Sequence, residues 1–172
     1  MILGMTALSF VHVVISLVGI FSGLFVVLGL ISGKRYDHMT ALFLATTTAT
    51  SVTGFFFPFH GMTPAIVIGV ISLIVLAVAV LARYSRHLDA GWRRTYVISA
   101  VLALYLNVFI FVVQLFEKVP SLRALAPTQS ETPFKITQLV VMAFFIAMGV
   151  FAVKGFRDQT LRLHEQTVRR AA

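Results

Sequence analysis

The chain reads as an all-α integral membrane bundle of five transmembrane helices, with its N-terminus outside and its C-terminus in the cytoplasm. Three observations predict this. The sequence is 59% hydrophobic and only 12% charged, with a mean hydropathy of +0.95, whereas soluble domains are roughly half apolar and a quarter charged. Five apolar stretches, each near the ~20 residues needed to cross a bilayer, follow one another with short connections. Finally, eleven of the fourteen Lys and Arg residues fall in alternate connections.

Span 1 is expected over Phe10–Ile31. The apolar run at the start of the chain lacks a basic n-region and continues to Ile31, too far for the core of a signal peptide, so it is taken as a span. Span 2 follows at Thr40–Phe59 and span 3 at Pro64–Ala82. Span 4 covers Thr95–Phe116 and span 5 Phe134–Val153, and Lys154–Ala172 forms a basic helical tail. Five spans in 172 residues leave no length for a soluble domain, so residues 1–172 are one membrane domain.

Local signals agree with these bounds. Thr63-Pro64 and Thr132-Pro133 each read as an N-cap followed by proline at the first helical position, opening spans 3 and 5 from the outer side. Asp89 is placed to cap span 4, with Trp92 at headgroup depth. Val119, Leu122 and Leu125 in the longest outer connection suggest a short helix lying on the membrane.

Lys34 and Arg35 follow span 1; Arg83, Arg86, Arg93 and Arg94 lie between spans 3 and 4; Lys154, Arg157, Arg162, Arg169 and Arg170 follow span 5. Lys118, Arg123 and Lys135 lie opposite. Cytoplasmic loops carry such an excess of bases, which sets the orientation. The net charge of +8 is then assigned to orientation and to anionic lipid at the cytoplasmic face, not to nucleic acid. With no cysteine in the chain, disulfides, thiolate catalysis and iron–sulfur clusters are excluded. No Asp, Glu, Lys or Arg falls near the bilayer midplane, which disfavours an ion-coupled pump.

Polar residues inside a span are costly unless paired, so they are the best functional clue. Span 2 carries Thr46, Thr47, Thr48, Thr50, Ser51 and Thr53. Thr46, Thr50 and Thr53 share one face, either packed with hydroxyls bonded to the preceding turn or lining a hydrated path. Span 4 carries Thr95, Ser99, Asn107 and Gln114 on one face, with Glu117 at its end; Asn107, near the midplane, is expected to meet Thr50 or Thr53. His12, His60, Gln114, Glu117 and Gln138 share one depth near the outer surface. In span 1, Ser16, Gly19 and Gly23 permit close helix approach, within the chain or in a homo-oligomer.

The segments Ala41-Leu-Phe-Leu-Ala-Thr-Thr, Ser51-Val-Thr-Gly-Phe and Phe57-Pro-Phe, with Leu104-Tyr-Leu-Asn-Val-Phe, Val113-Gln, Lys118-Val-Pro and Leu125-Ala-Pro-Thr-Gln-Ser-Glu-Thr-Pro-Phe134, resemble a widespread group of small multi-span inner-membrane proteins of proteobacteria. The resemblance covers most of the chain. It implies a bacterial inner membrane, in which the outside N-terminus expected from the charge bias is periplasmic, and it brings no established activity and no catalytic residues.

Together these features lead to a binding or accessory protein. Its outer-side pocket, lined by His12, His60, Asn107, Gln114, Glu117 and Gln138, would take a lipid-like or quinone-like small molecule. One alternative is a passive channel or transporter along Thr46, Thr50 and Thr53. Another is an electron carrier holding haem b between His12 and His60, although no cofactor is the main expectation. No nucleophile is paired with a base and no metal motif is present, so catalysis is not favoured.

Overall fold

The computed structural model describes residues 6–57, 64–89 and 91–171. The helices are α1 (Ala7–Ile31), α2 (Asp37–Gly54), α3 (Pro64–Val80), α4 (Trp92–Lys118), α5 (Pro120–Leu125) and α6 (Thr132–Ala171). A single π-helical turn, Leu81–Ser85, extends α3. Among the described residues there is no strand.

Four segments are long and apolar enough to cross a membrane: Ala7–Ile31, Ala65–Ser85, Trp92–Lys118 and Thr132–Phe156. The chain is thus a multi-pass helical membrane protein by length and composition. The second of the five expected spans does not meet the same standard, because Asp37, His38 and the hydroxyls from Thr46 to Thr53 dilute its apolar content. It nevertheless packs along α1 and against α3.

α1 starts at Ala7 because the Thr6 hydroxyl accepts a hydrogen bond from the Ser9 amide at 3.2 Å, satisfying one of the unpaired first-turn donors. It ends where Gly33 adopts φ 70°, a left-handed conformation that glycine takes without steric cost. α2 stops at Gly54, short of the expected Phe59; residues 58–63, including Thr63 of the expected cap, lie outside the described residues. α5 is the short helix anticipated around Leu122. The tail continues α6 in helical form to Ala171.

α4 is the central helix. It packs against α1, α3 and α6, and 56% of its apolar window is buried, against 22% for those of α3 and α6. The main core joins Val27, Leu30, Phe43, Leu76, Val97, Ala100, Leu104, Met148 and Ala152. These come from the second halves of α1, α3 and the α6 span and the first halves of α2 and α4, so the core fills one end of the bundle. A smaller cluster of Val112, Phe116 and Ala126 lies toward the other end.

Close approach at the filled end depends on glycine. A Cβ on Gly23 would come within 2.7 Å of Leu104 and 2.8 Å of Phe43, and one on Gly155 within 2.0 Å of the Ile31 carbonyl oxygen. Gly19 and Gly23 therefore face α2 and α4 inside the bundle.

The bases gather at the filled end, with one departure from expectation. Arg83, expected in a solvated connection, is only 7% exposed. The π-turn carries it inward, where its guanidinium pairs with Asp37 at the start of α2 and lies 5.3 Å from the Tyr96 ring and 5.7 Å from that of Tyr84. Cation–π contact offsets part of the desolvation of this charge. His87 (φ 46°) and Leu88 (φ 62°) then turn the chain into α4. Leu88 tolerates the left-handed conformation because its side chain is buried in the core and its carbonyl accepts from Arg93 Nε at 3.0 Å. Asp89 does not cap α4 with its side chain. Gly91 is the N-cap, and Asp89 contributes its main-chain carbonyl, 2.9 Å from the Trp92 amide.

Candidate functional site

The four helices α1 to α4 do not close at the end opposite the bases, and they leave a cavity of about 740 Å³. Small side chains create it. α1 turns Ser9, His12 and Ser16 toward it at helical spacing, α2 contributes Thr47, Thr50, Ser51 and Gly54, and α3 contributes Ala65, Gly69 and Ser72. The apolar wall is Val13, Phe55, Ile66, Ile68, Leu106, Ile110, Phe111 and Leu115. Along α1 the cavity runs from Thr6 to Ser16, about 15 Å at 1.5 Å per residue. Such a volume, mainly apolar with a few convergent polar groups, is typical of small-molecule sites.

Of the residues expected to line an outer-side pocket, His12, Asn107, Gln114 and Glu117 line this cavity. His60 lies outside the described residues. Gln138 is not in the wall: it is buried in the seam between α6 and α4, where its Nε2 donates to the Phe109 carbonyl at 3.2 Å.

His12 is half-buried near the mouth. Its Nδ1 is 2.8 Å from the Thr53 hydroxyl, and its ring stands edge-on to Phe57 with centroids 5.1 Å apart. Among the described residues no group of three or more His, Cys, Asp or Glu is placed to hold a metal ion.

Asn107 does not meet Thr50 or Thr53. Its Oδ1 instead accepts from the Ser16 hydroxyl of α1 at 2.9 Å. Thr50 and Thr53 are otherwise engaged, donating to the carbonyls of Thr46 (2.9 Å) and Ala49 (2.7 Å) on their own helix. Thr46 donates likewise to Leu42 at 2.7 Å. Such back-bonding satisfies a hydroxyl in a low-dielectric setting without a second helix. Of these three threonines only Thr50 reaches the cavity wall, so the stripe does not form a continuous lining.

Thr47 departs from this pattern. It is buried, and its hydroxyl has no hydrogen-bond partner. Asn107 Nδ2 is likewise buried without a partner. Both atoms border Gly19, where an added Cβ would lie 3.0 Å from Thr47 Oγ1 and 3.2 Å from Asn107 Nδ2. One helical turn further along α1, Phe43 and Leu104 pack at Gly23, and neither belongs to the cavity wall.

Sequence reasoning did not single out Ser9, Thr47, Ser72 or Lys118 as cavity residues. Ser72 carried a usable signal, since it is the one hydroxyl between Pro64 and Ala82. Ser9 carried another, lying three residues before His12.

Comparison with models of known protein families, with curated proteins and with solved structures finds no match.

Proposed function

We propose that this is a binding or accessory protein of the bacterial inner membrane, whose outer-side cavity accepts a lipid-like or quinone-like amphiphile. One observation carries the reading: an apolar cavity of about 740 Å³ whose mouth holds His12, Gln114, Glu117 and Lys118 and whose floor holds Asn107 and Thr47. An amphiphile matches such a site in both shape and polarity.

The proposed topology has five crossings, with the N-terminus periplasmic. It is supported by α2, which runs from the Asp37–Arg83 pair at the basic end to the His12–Thr53 contact at the other. Its 18 residues span about 27 Å at 1.5 Å per residue, close to the ~30 Å hydrocarbon core. The bases at the opposite end support a cytoplasmic location for it. A transmembrane path along the threonines is not favoured, because Thr46 and Thr53 do not reach the cavity wall.

The test is solvent extraction of the detergent-purified protein followed by mass spectrometry. A co-eluting amphiphile is expected, and the double variant Asn107→Leu plus Gln114→Leu should lose most of it. Equal ligand content in the two preparations, or none in the wild type, refutes the reading.

A further inference from the structure

The free polar atoms at the cavity floor are donors. Asn107 is 8% exposed and Thr47 1%, and Asn107 Nδ2 and Thr47 Oγ1 have no partner. The acceptor side of the amide is already used, because Oδ1 takes the Ser16 hydroxyl at 2.9 Å. A buried donor without an acceptor is costly, and a ligand that supplies the acceptor recovers that cost.

The charge of the ligand head follows from what surrounds it. The charged side chains of the cavity wall are Glu117 and Lys118, and both stand at the mouth. Lys118 lies eleven residues beyond Asn107 on α4, about 16 Å along the helix. A phosphate or carboxylate carried to the floor would lose its water with no counter-charge beside it. A neutral carbonyl oxygen would meet two donors. A side chain at Gly19 would press on both atoms.

We infer that the cavity takes a neutral carbonyl compound of the quinone or ketone type head first, with its carbonyl oxygen accepting from Asn107 Nδ2 and the Thr47 hydroxyl and its apolar tail toward the mouth. This rests on the cavity being a ligand site, as proposed above, and adds which chemistry enters and which way round.

The experiment titrates the full-length protein in detergent with three probes: decylbenzoquinone, decylbenzene, which has the tail but no acceptor, and decyl phosphate, which has a charged head. Decylbenzoquinone should bind tightest, and its infrared carbonyl band should move to lower wavenumber when bound. Asn107→Leu should weaken it about tenfold, the worth of one hydrogen bond, and reverse the band shift, while leaving decylbenzene unchanged. Thr47→Val gives the same reading on a smaller scale if Asn107→Leu does not fold. Ile110→Trp, which fills the cavity, should abolish binding of every probe.

Equal quinone binding and an unshifted band in wild type, Asn107→Leu and Thr47→Val would overturn the inference while leaving the cavity a ligand site. Tighter binding of decyl phosphate, lost in Lys118→Gln, would overturn it in favour of a charged head at the mouth. If no probe binds the wild type, or Ile110→Trp binds them undiminished, the ligand site itself falls, and this inference with it.

Discussion

At the basic end of the bundle Val27, Phe43, Ala79, Tyr96, Ala100, Leu104 and Ala152 are buried to 1% exposure or less, and helices approach until only glycine fits at Gly23 and Gly155. At the other end α1, α2 and α3 present Ser9, Ser16, Ser51, Ala65 and Gly69 toward α4 and leave a cavity. Lipid is as apolar as leucine, so nothing squeezes a membrane bundle shut from outside; helices associate where side chains interlock and stay apart where they do not. Small residues have opposite consequences at the two ends. Where backbones touch, glycine removes the obstacle, and where bulkier neighbours hold the helices apart, small residues leave space.

Glycine substitution is the strongest way to break this contrast. Gly155→Ala should destabilise the protein by about 3 kcal/mol, the upper range for overpacking, because the new methyl faces the Ile31 main-chain carbonyl at 2.0 Å and neither backbone yields easily. Gly54→Ala at the cavity should change stability by no more than about 0.5 kcal/mol, its nearest neighbour being His12 at 3.8 Å. Reversible unfolding in mixed detergent measures both. Comparable losses at the two sites would show that the cavity end is packed as tightly as the basic end.

A smaller effect is expected at the Arg83–Asp37 pair. Asp37→Asn leaves a buried guanidinium without its carboxylate and should cost about 1–2 kcal/mol, discounted because 69% of the Asp37 side chain is exposed to solvent screening. Adding Arg83→Met should restore most of that loss, since the remaining group is then apolar. If the two substitutions simply add, the pair contributes nothing and the basic end is held by packing alone.

The smallest effect concerns the loop between α5 and α6. Desolvation, the largest single influence, would raise the Glu131 carboxyl, but the hydrogen bonds from Thr128 and Ser130 and its own backbone amide together outweigh it and hold the group below the usual carboxylate range. A depressed folded value means that the loop's hydrogen bonds are fully present above the ordinary carboxylate pKa and are lost as pH falls through the lower, folded one. Amide exchange at Thr128 and Ser130 should therefore accelerate on acidification beyond the intrinsic pH trend, and Glu131→Gln should abolish the extra dependence. A wild-type profile that matches the variant would remove Glu131 from the account.

Much of the site was legible residue by residue and little of it pair by pair. The depths of His12, Asn107, Gln114 and Glu117 follow from counting 1.5 Å per residue from the span ends, and these four share one cavity. The same counting put Gln138 with them, yet α6 turns it into a separate seam against Phe109. Depth matched Asn107 to Thr50 and Thr53, but those hydroxyls are satisfied by their own helix, and Ser16 is the residue that reaches the amide.

The order and length of the apolar stretches were enough to determine an all-helical membrane chain, because hydrocarbon imposes length and polarity on each segment separately. Which face of each helix meets which neighbour was decided only by the assembled bundle. In a soluble protein the polar face marks the outside; in a membrane both the lipid-facing and the buried faces are apolar, and rotation about the helix axis leaves little trace in the sequence. The inward turn of Arg83, the unpaired donors of Thr47 and Asn107 and the cavity above them are products of that rotation.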